Sequence, residues 1–382
     1  MNRLSQIIYK CIISISLVCI ISSAEYIHAQ NIVTNNPEWG LWQHREDSVI
    51  TFDLIQVYGT DFPDESAVFS SVNGIWTVDS DEYGNIYVLD NDAPMLVKFS
   101  SAGEVMWKIE RKGKGPGDLY VPNGLAVGKI YIYISNQIGA RIDVFDKKGK
   151  FLKTLKIDNL DEKQRSVIGI IENRYLVLGT SKIPGKIGME FTILDIEYKY
   201  EKVSEFKATE DIDFEIPGTG WIYPKTSIMD GFIVITKSFN YGFKYYRIDG
   251  TLVKEINRDA SKYMRPGIGK IGNRNMMMSL STVYAHHKIE CGYLLNFVSW
   301  PTNIDDPDRA VSQMGKGNFP ELKSQSSLDL YSPDGNLLYS VEKMGLIPEI
   351  GWIKHSDDVG YLYTVVGNPY PQVRKYKVNI SD

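Results

Sequence analysis

The sequence predicts an all-β chain folded as a six-bladed β-propeller with four-stranded antiparallel blades. Three observations carry this. The apolar runs are short, rich in Ile, Val, Leu and Tyr, and lack a sustained 3.6-residue period. A unit recurs at about 45 residues or more, the size of a four-stranded blade. A strand near the N-terminus supplies what the last unit lacks.

The first copy opens at Gly84 with Asn85-Ile86-Tyr87-Val88-Leu89-Asp90, continues through Val97-Lys98-Phe99, and turns at Gly103 into Val105-Met106-Trp107. In the second, Gly128 opens Ile130 to Tyr133, Asp143-Val144-Phe145 follows, and Gly149 precedes Phe151-Leu152. Phe99 to Phe145 and Gly103 to Gly149 are both 46 residues apart. The aromatic-x-x-x-Gly turn returns at Tyr246/Gly250 and Tyr331/Gly335. The strand-opening position is found six times: Gly84, Gly128, Asn173, Gly231, Gly292 and Gly360. The third copy is degenerate, because Leu194 to Tyr198 has no turn glycine.

The sixth unit supplies Ile350 to His355, Tyr361 to Val366 and Val373 to Val378, and its fourth strand is missing. Val49 to Tyr58 alternates like a strand and precedes the first full unit. As the outer strand of the last blade it closes the ring and removes an open sheet edge. The segments Lys207–Lys225, Asn257–Met277 and Ser299–Ser327 read as long loops.

Residues 1–29 read as a cleaved signal peptide. Arg3 and Lys10 flank an apolar stretch from Cys11 to Ile21, too short for a bilayer span of about 20 residues but right for a secretory segment. Cleavage fits after Ala24 or, preferably, after Ala29. Val18 before Cys19 and Lys10 before Cys11 do not suit lipidation. The expected location is therefore periplasmic or extracellular, with residues 30–382 forming one domain, monomeric and without a transmembrane segment. Removing the address leaves 40 basic and 46 acidic residues. That balance gives no basic face for nucleic acid. Cys291 is then the only cysteine, so no internal disulfide can form; it reads as a buried filler in a strand.

The segment Asp81-Glu82-Tyr83-Gly84-Asn85-Ile86-Tyr87-Val88-Leu89-Asp90, followed by Gly113-Lys114-Gly115-Pro116-Gly117-Asp118, resembles the six-bladed propellers exported by Bacteroidetes, which are similar to NHL-repeat and TolB-like propellers. The likeness is strongest over residues 70–157. It implies fold and compartment and little chemistry.

In an up-and-down blade, the link from second to third strand shares a face with the link to the next blade. All three long loops fall on that face, and persistent long loops usually carry function. They and their shorter neighbours present Arg141, Trp221, Tyr223, Tyr241, Arg265 and Trp300, aromatics beside arginines that suit a protein, peptide or glycan. Asn73, Asn123, His286 and His355 are expected to line the channel; alternation sends one of His286 and His287 there and the other toward a neighbouring blade. No hydrolase signature is present. Gly113–Gly117 lacks phosphate-loop spacing and reads as a between-blade turn. Asp79-x-Asp81 reads as a hairpin turn rather than a calcium loop.

The preferred reading is a non-enzymatic binding or scaffold propeller without a cofactor. The alternative is an enzyme like the NHL lyases or lactonases, with a divalent metal (Ca or Zn) held in the channel.

Overall fold

The computed structural model describes residues 31–45, 49–60, 68–136, 141–155, 165–181, 183, 186–210, 220–222, 224–318, 321–343 and 350–381. Residues 1–29, read above as a signal peptide, lie outside them. The chain forms a six-bladed β-propeller. Blade 1 is β3 to β6 (Ile75–Ser80, Ile86–Asp90, Met95–Phe99, Val105–Ile109). Blade 2 is β7 to β10 (Pro122–Val127, Tyr131–Asn136, Arg141–Asp146, Phe151–Leu155). Blade 3 is β11 to β14 (Ser166–Ile171, Tyr175–Thr180, Gly188–Asp195, Glu201–Thr209). Blade 4 contains β16 to β19 (Thr226–Met229, Phe232–Thr236, Gly242–Tyr246, Leu252–Arg258), and blade 5 is β22 to β25 (Thr282–Lys288, Leu294–Pro301, Ser324–Tyr331, Leu337–Lys343).

Blade 6 closes the ring. Its three C-terminal strands, β26 to β28 (Trp352–Ser356, Leu362–Val366, Gln372–Ile380), are completed by the N-terminal β2 (Ile50–Tyr58). β2 pairs antiparallel with β28 from Ile50↔Ile380 to Tyr58↔Val373. The expected closing strand is therefore in place. A second N-terminal strand, β1 (Ile32–Asn36), runs parallel to β19 and makes blade 4 five-stranded. Asn36 fixes that addition: its amide donates to the carbonyls of Asn257 and Gly335 and its oxygen accepts from the Leu337 N–H, tying blade 4 to blade 5.

The core is divided among the six gaps between blades, as two-sided burial of the middle strands requires. Every residue of Ile86–Asp90 and of Leu362–Val366 is buried. Tyr58, Ile75, Phe99 and Tyr363 fill the gap between blades 6 and 1, and Tyr87, Leu96, Ile132 and Phe145 the next. The sequence repeats accordingly, since each copy must furnish both walls. Turn glycines do two jobs. Gly335 has φ 94°, and an added Cβ would sit 2.7 Å from Ile256 of the preceding blade. In the degenerate third copy Lys199 and Tyr200 adopt φ of 55° and 66° where the other blades place glycine.

Two expectations are corrected. The long segments are not plain loops. β15 (Gly220–Trp221), β20 (Gly267–Ile271) and β21 (Arg274–Met278) form a three-stranded sheet, and helix α1 (Pro307–Gly315) packs on β20. Asp306 caps the helix by accepting from the Asp308 and Arg309 N–H groups, Pro307 opens it, and Ala310, Val311 and Met314 face inward. Gly267 and Gly269 let α1 approach, because a Cβ at either would meet helix backbone at 2.1 and 2.7 Å. Cys291 is exposed in a tight turn with φ 60°, not buried in a strand.

Candidate binding sites on the long-loop face and in the channel

The inner strands β3, β7, β11, β16, β22 and β26 contact one another in sequence and back to β3, enclosing the channel. Each begins on the long-loop face and ends at a compact turn, so the channel has two chemically separate ends.

On the long-loop face, a slot at the rim between blades 4 and 5 is lined by Glu38, Tyr241, Arg258, Lys262, Tyr263 and Trp300, with room inside for about one water. Its base is rigid. Tyr241 donates its hydroxyl to Asp329, and Arg258 donates to the same carboxylate at 2.6 Å. The other Asp329 oxygen accepts from Ser327 at 3.0 Å and Ser340 at 2.6 Å. Tyr263 stacks on Tyr241 with centroids 5.6 Å apart. Burial pushes the Tyr241 and Tyr263 hydroxyls far above the usual phenol range, so both stay protonated. The lip is open. Trp39 is 47% exposed, and Lys262 lies 5.8 Å from its ring and 6.0 Å from that of Trp300. Lys262 also pairs with Glu342 at 2.6 Å.

Tyr241 and Trp300 are thus brought together, at the base of the slot. The other candidates on this face are dispersed. Arg141 donates to Asp143 and to the carbonyls of Lys114 and Asp118, pinning the turn between blades 1 and 2. Arg265 makes a bidentate pair with Asp308 at 2.9 and 2.8 Å, holding α1 to the sheet. Trp221 pairs through its backbone with Met278, and Tyr223 lies outside the described residues. Trp39, Lys262 and Tyr263 were not singled out by sequence. Their signal was an aromatic or cation just beyond β1 or β19, visible only once those strands are paired.

The channel wall carries a regularity that sequence pattern does not show. Five of the six inner strands have a β-bulge at their second or third residue: Trp76, Asn123, Ile168, Tyr284 and Lys354. A bulge re-aims its side chain. Ile168 and Tyr284 pack between blades. The other three join around the lumen. Lys354 Nζ approaches the Trp76 carbonyl at 3.5 Å, the Trp76 indole N–H donates to the Asn123 carbonyl at 3.1 Å, and the Asn123 amide donates to Ser166 Oγ at 2.8 Å. Burial and the nearby positive charge of Lys225 push Lys354 down to about 8. Burial also lowers Lys225, which keeps an exposed surface.

At the compact-turn end, His355 Nε2 lies 2.8 Å from Ser80 Oγ and 3.7 Å from Asp79. Asp79 accepts the Val127 N–H at 2.7 Å, and burial raises its carboxyl to about 7. Burial lowers His355 to about 4. Both partners meet the same ring nitrogen, which is not the geometry of a nucleophile–base–orienter relay. His287 is held neutral by burial and by the proximity of His355. His286, expected in the channel, instead lies between blades 4 and 5, stacked on Phe243 at 3.9 Å and hydrogen-bonded to Tyr245 and Asn296. The Tyr284 bulge shifts the alternation by one and sends His286 outward. Asn73 is exposed just before β3. Asp81 spends its carboxylate on Tyr87, Asn85 and two backbone N–H groups, as a hairpin turn does. Among the described residues no three His, Cys, Asp or Glu side chains are grouped to hold a metal ion.

A family model described as a 6-bladed beta-propeller matches residues 65–218. A protein of Bacteroides fragilis described as exported is similar in structure over 92% of this chain and 100% of its own, with a TM-score of 0.58 and 12% identity. A protein of Bacteroides vulgatus covers 87% of this chain and 99% of its own, at a TM-score of 0.56 and 12% identity. A Bacteroides thetaiotaomicron protein of unknown function covers 86% and 76%, at 0.50 and 12%. No curated protein matches the sequence. No helix among the described residues is long and apolar enough to cross a membrane. At these identities the likeness establishes the fold alone: in architecture the chain is similar to these three Bacteroides proteins.

Proposed function

We propose that the chain is an exported, non-enzymatic binding propeller that uses its long-loop face to hold a protein, peptide or glycan. The observation that carries this reading is the rim slot between blades 4 and 5. A base in which Tyr241 and Arg258 both donate to Asp329 supports an exposed lip of Trp39 and Lys262. Rigid aromatics beside a cation contribute contact area with little side-chain ordering cost. Export is supported by the signal-like address and by the description of the Bacteroides fragilis neighbour.

The test compares wild type with the Trp39→Ala/Lys262→Ala double variant on glycan and peptide arrays. Both side chains are exposed, so the fold is expected to survive. Capture by the wild type that falls at least about tenfold in the variant supports the reading. Capture that is unchanged overturns the assignment of this lip.

A further inference from the structure

We infer that the long-loop end of the central channel is a binding site for an acidic saccharide, its anionic group held between Lys225 and Lys354 and its ring laid on Trp76. The site shares the long-loop face invoked above but uses none of the rim-slot residues, so it rests on that reading only for the choice of face.

Four blades contribute to one belt. Lys354 comes from blade 6, Trp76 from blade 1, Asn123 from blade 2 and Ser166 from blade 3, joined in that order by the contacts at 3.5, 3.1 and 2.8 Å. Lys225, immediately before β16 of blade 4, stands near enough for its positive charge to act on Lys354. Three of these groups reach the belt from bulges. Among the described residues neither lysine has a carboxylate partner, although Lys262, Lys237, Lys98 and Arg258 elsewhere in the molecule all do. Two like charges held near each other inside a ring of protein repel, and an anion between them removes that repulsion. Trp76 is 49% exposed although its indole N–H is already bonded across to blade 2. Its free surface is therefore an apolar plane facing the lumen, which suits the face of a sugar ring. The Asn123 side-chain oxygen is buried without a hydrogen-bond partner beside this plane and can accept from a ligand hydroxyl. Lysines acting as point charges, with no arginine fork in the belt, suit a single carboxylate better than a multidentate phosphate.

The experiment is calorimetric titration of the full chain with trigalacturonate, with a neutral trisaccharide and with inorganic sulfate, at low and at physiological salt. Expected is saturable binding of trigalacturonate that weakens with salt, and no comparable binding of the neutral sugar or of sulfate. Lys354→Met and Lys225→Met should each weaken it about tenfold, the value of one charge-assisted hydrogen bond. Trp76→Ala should weaken it several-fold while leaving the salt dependence in place. Trp39→Ala/Lys262→Ala should leave it unchanged, so failure at the rim and failure in the channel are told apart. Absence of saturable uronate binding overturns the inference, as does equal affinity in the lysine variants. Sulfate binding as tight as uronate overturns the saccharide assignment. Thermal melts of each variant establish that a lost signal is not lost folding.

Discussion

The rim slot and the channel mouth lie on the same face and are built from the same residue types, yet they treat positive charge in opposite ways. At the rim, Arg258 is 5% exposed and meets the fully buried Asp329 at 2.6 Å, with Tyr241, Ser327 and Ser340 satisfying what remains of that carboxylate. In the channel, Lys354 has, among the described residues, a backbone carbonyl at 3.5 Å and the charge of a second lysine nearby. The compact end of the channel resembles the rim: Asp79, Ser80 and His355 answer one another. A cation neutralised by its own chain holds structure. A cation left without a counter-charge where solvent enters is free to hold something else.

The largest expected effect tests the rim. Arg258→Ala strands Asp329 as an uncompensated buried charge and should destabilise the fold by about 3–5 kcal/mol. Denaturant unfolding measures it. A loss below about 1 kcal/mol would mean that the network is not structural and would erase the contrast with the channel.

The next effect has the opposite sign. Lys354 has a folded pKa of about 8, below its ordinary value of 10.5, through burial and the charge of Lys225. Between those two pH values the folded chain binds fewer protons than the unfolded one, so this group makes stability rise with pH across that window. Below pH 8 the cost is present in full. Lys354→Met should therefore stabilise the protein at pH 7 by about 1–2 kcal/mol after allowance for solvent screening. The gain should vanish by about pH 10.5. Thermal melts of wild type and variant across pH 7 to 10.5 read the difference, and a destabilised variant at pH 7 would show that Lys354 has a partner.

The ring itself was legible in the sequence because each blade must wall two gaps, which repeats the same alternation in every copy and the same turn glycines in most of them, the third copy excepted. Closure was legible for a related reason: Val373 to Val378 ends a blade one strand short, and Val49 to Tyr58 has the matching pattern. Helix α1 was missed although Asp306-Pro307 and the inward trio Ala310, Val311 and Met314 spell a capped helix. At nine residues it was too short to stand out from a strand-rich background. β1 was missed because Ile32–Asn36 is brief and its parallel partner lies more than 200 residues away. The channel belt was illegible for a different reason. A bulge adds one residue to the pairing without changing composition, so alternation could send one of His286 and His287 to the lumen without saying which, and gave no reason to look at Trp76 or Lys354. Asn123 and His355 were singled out as polar residues on inner strands, a signal that does not depend on register.

The smallest effect is the most discriminating, because it asks whether the two channel lysines form one site. Lys225 is the more exposed of the pair, so Lys225→Met should change stability by less than about 1 kcal/mol. Its consequence should instead be electrostatic. Removing the neighbouring charge takes away one of the two causes that hold Lys354 down, leaving burial alone, so the Lys354 amine should titrate above its wild-type value of about 8. The pH dependence of acylation at Lys354, followed by peptide mass mapping, measures this directly. An upward shift places both ammonium groups in reach of a single carboxylate. An unmoved titration would separate them, and with them the paired cations on which the channel site depends.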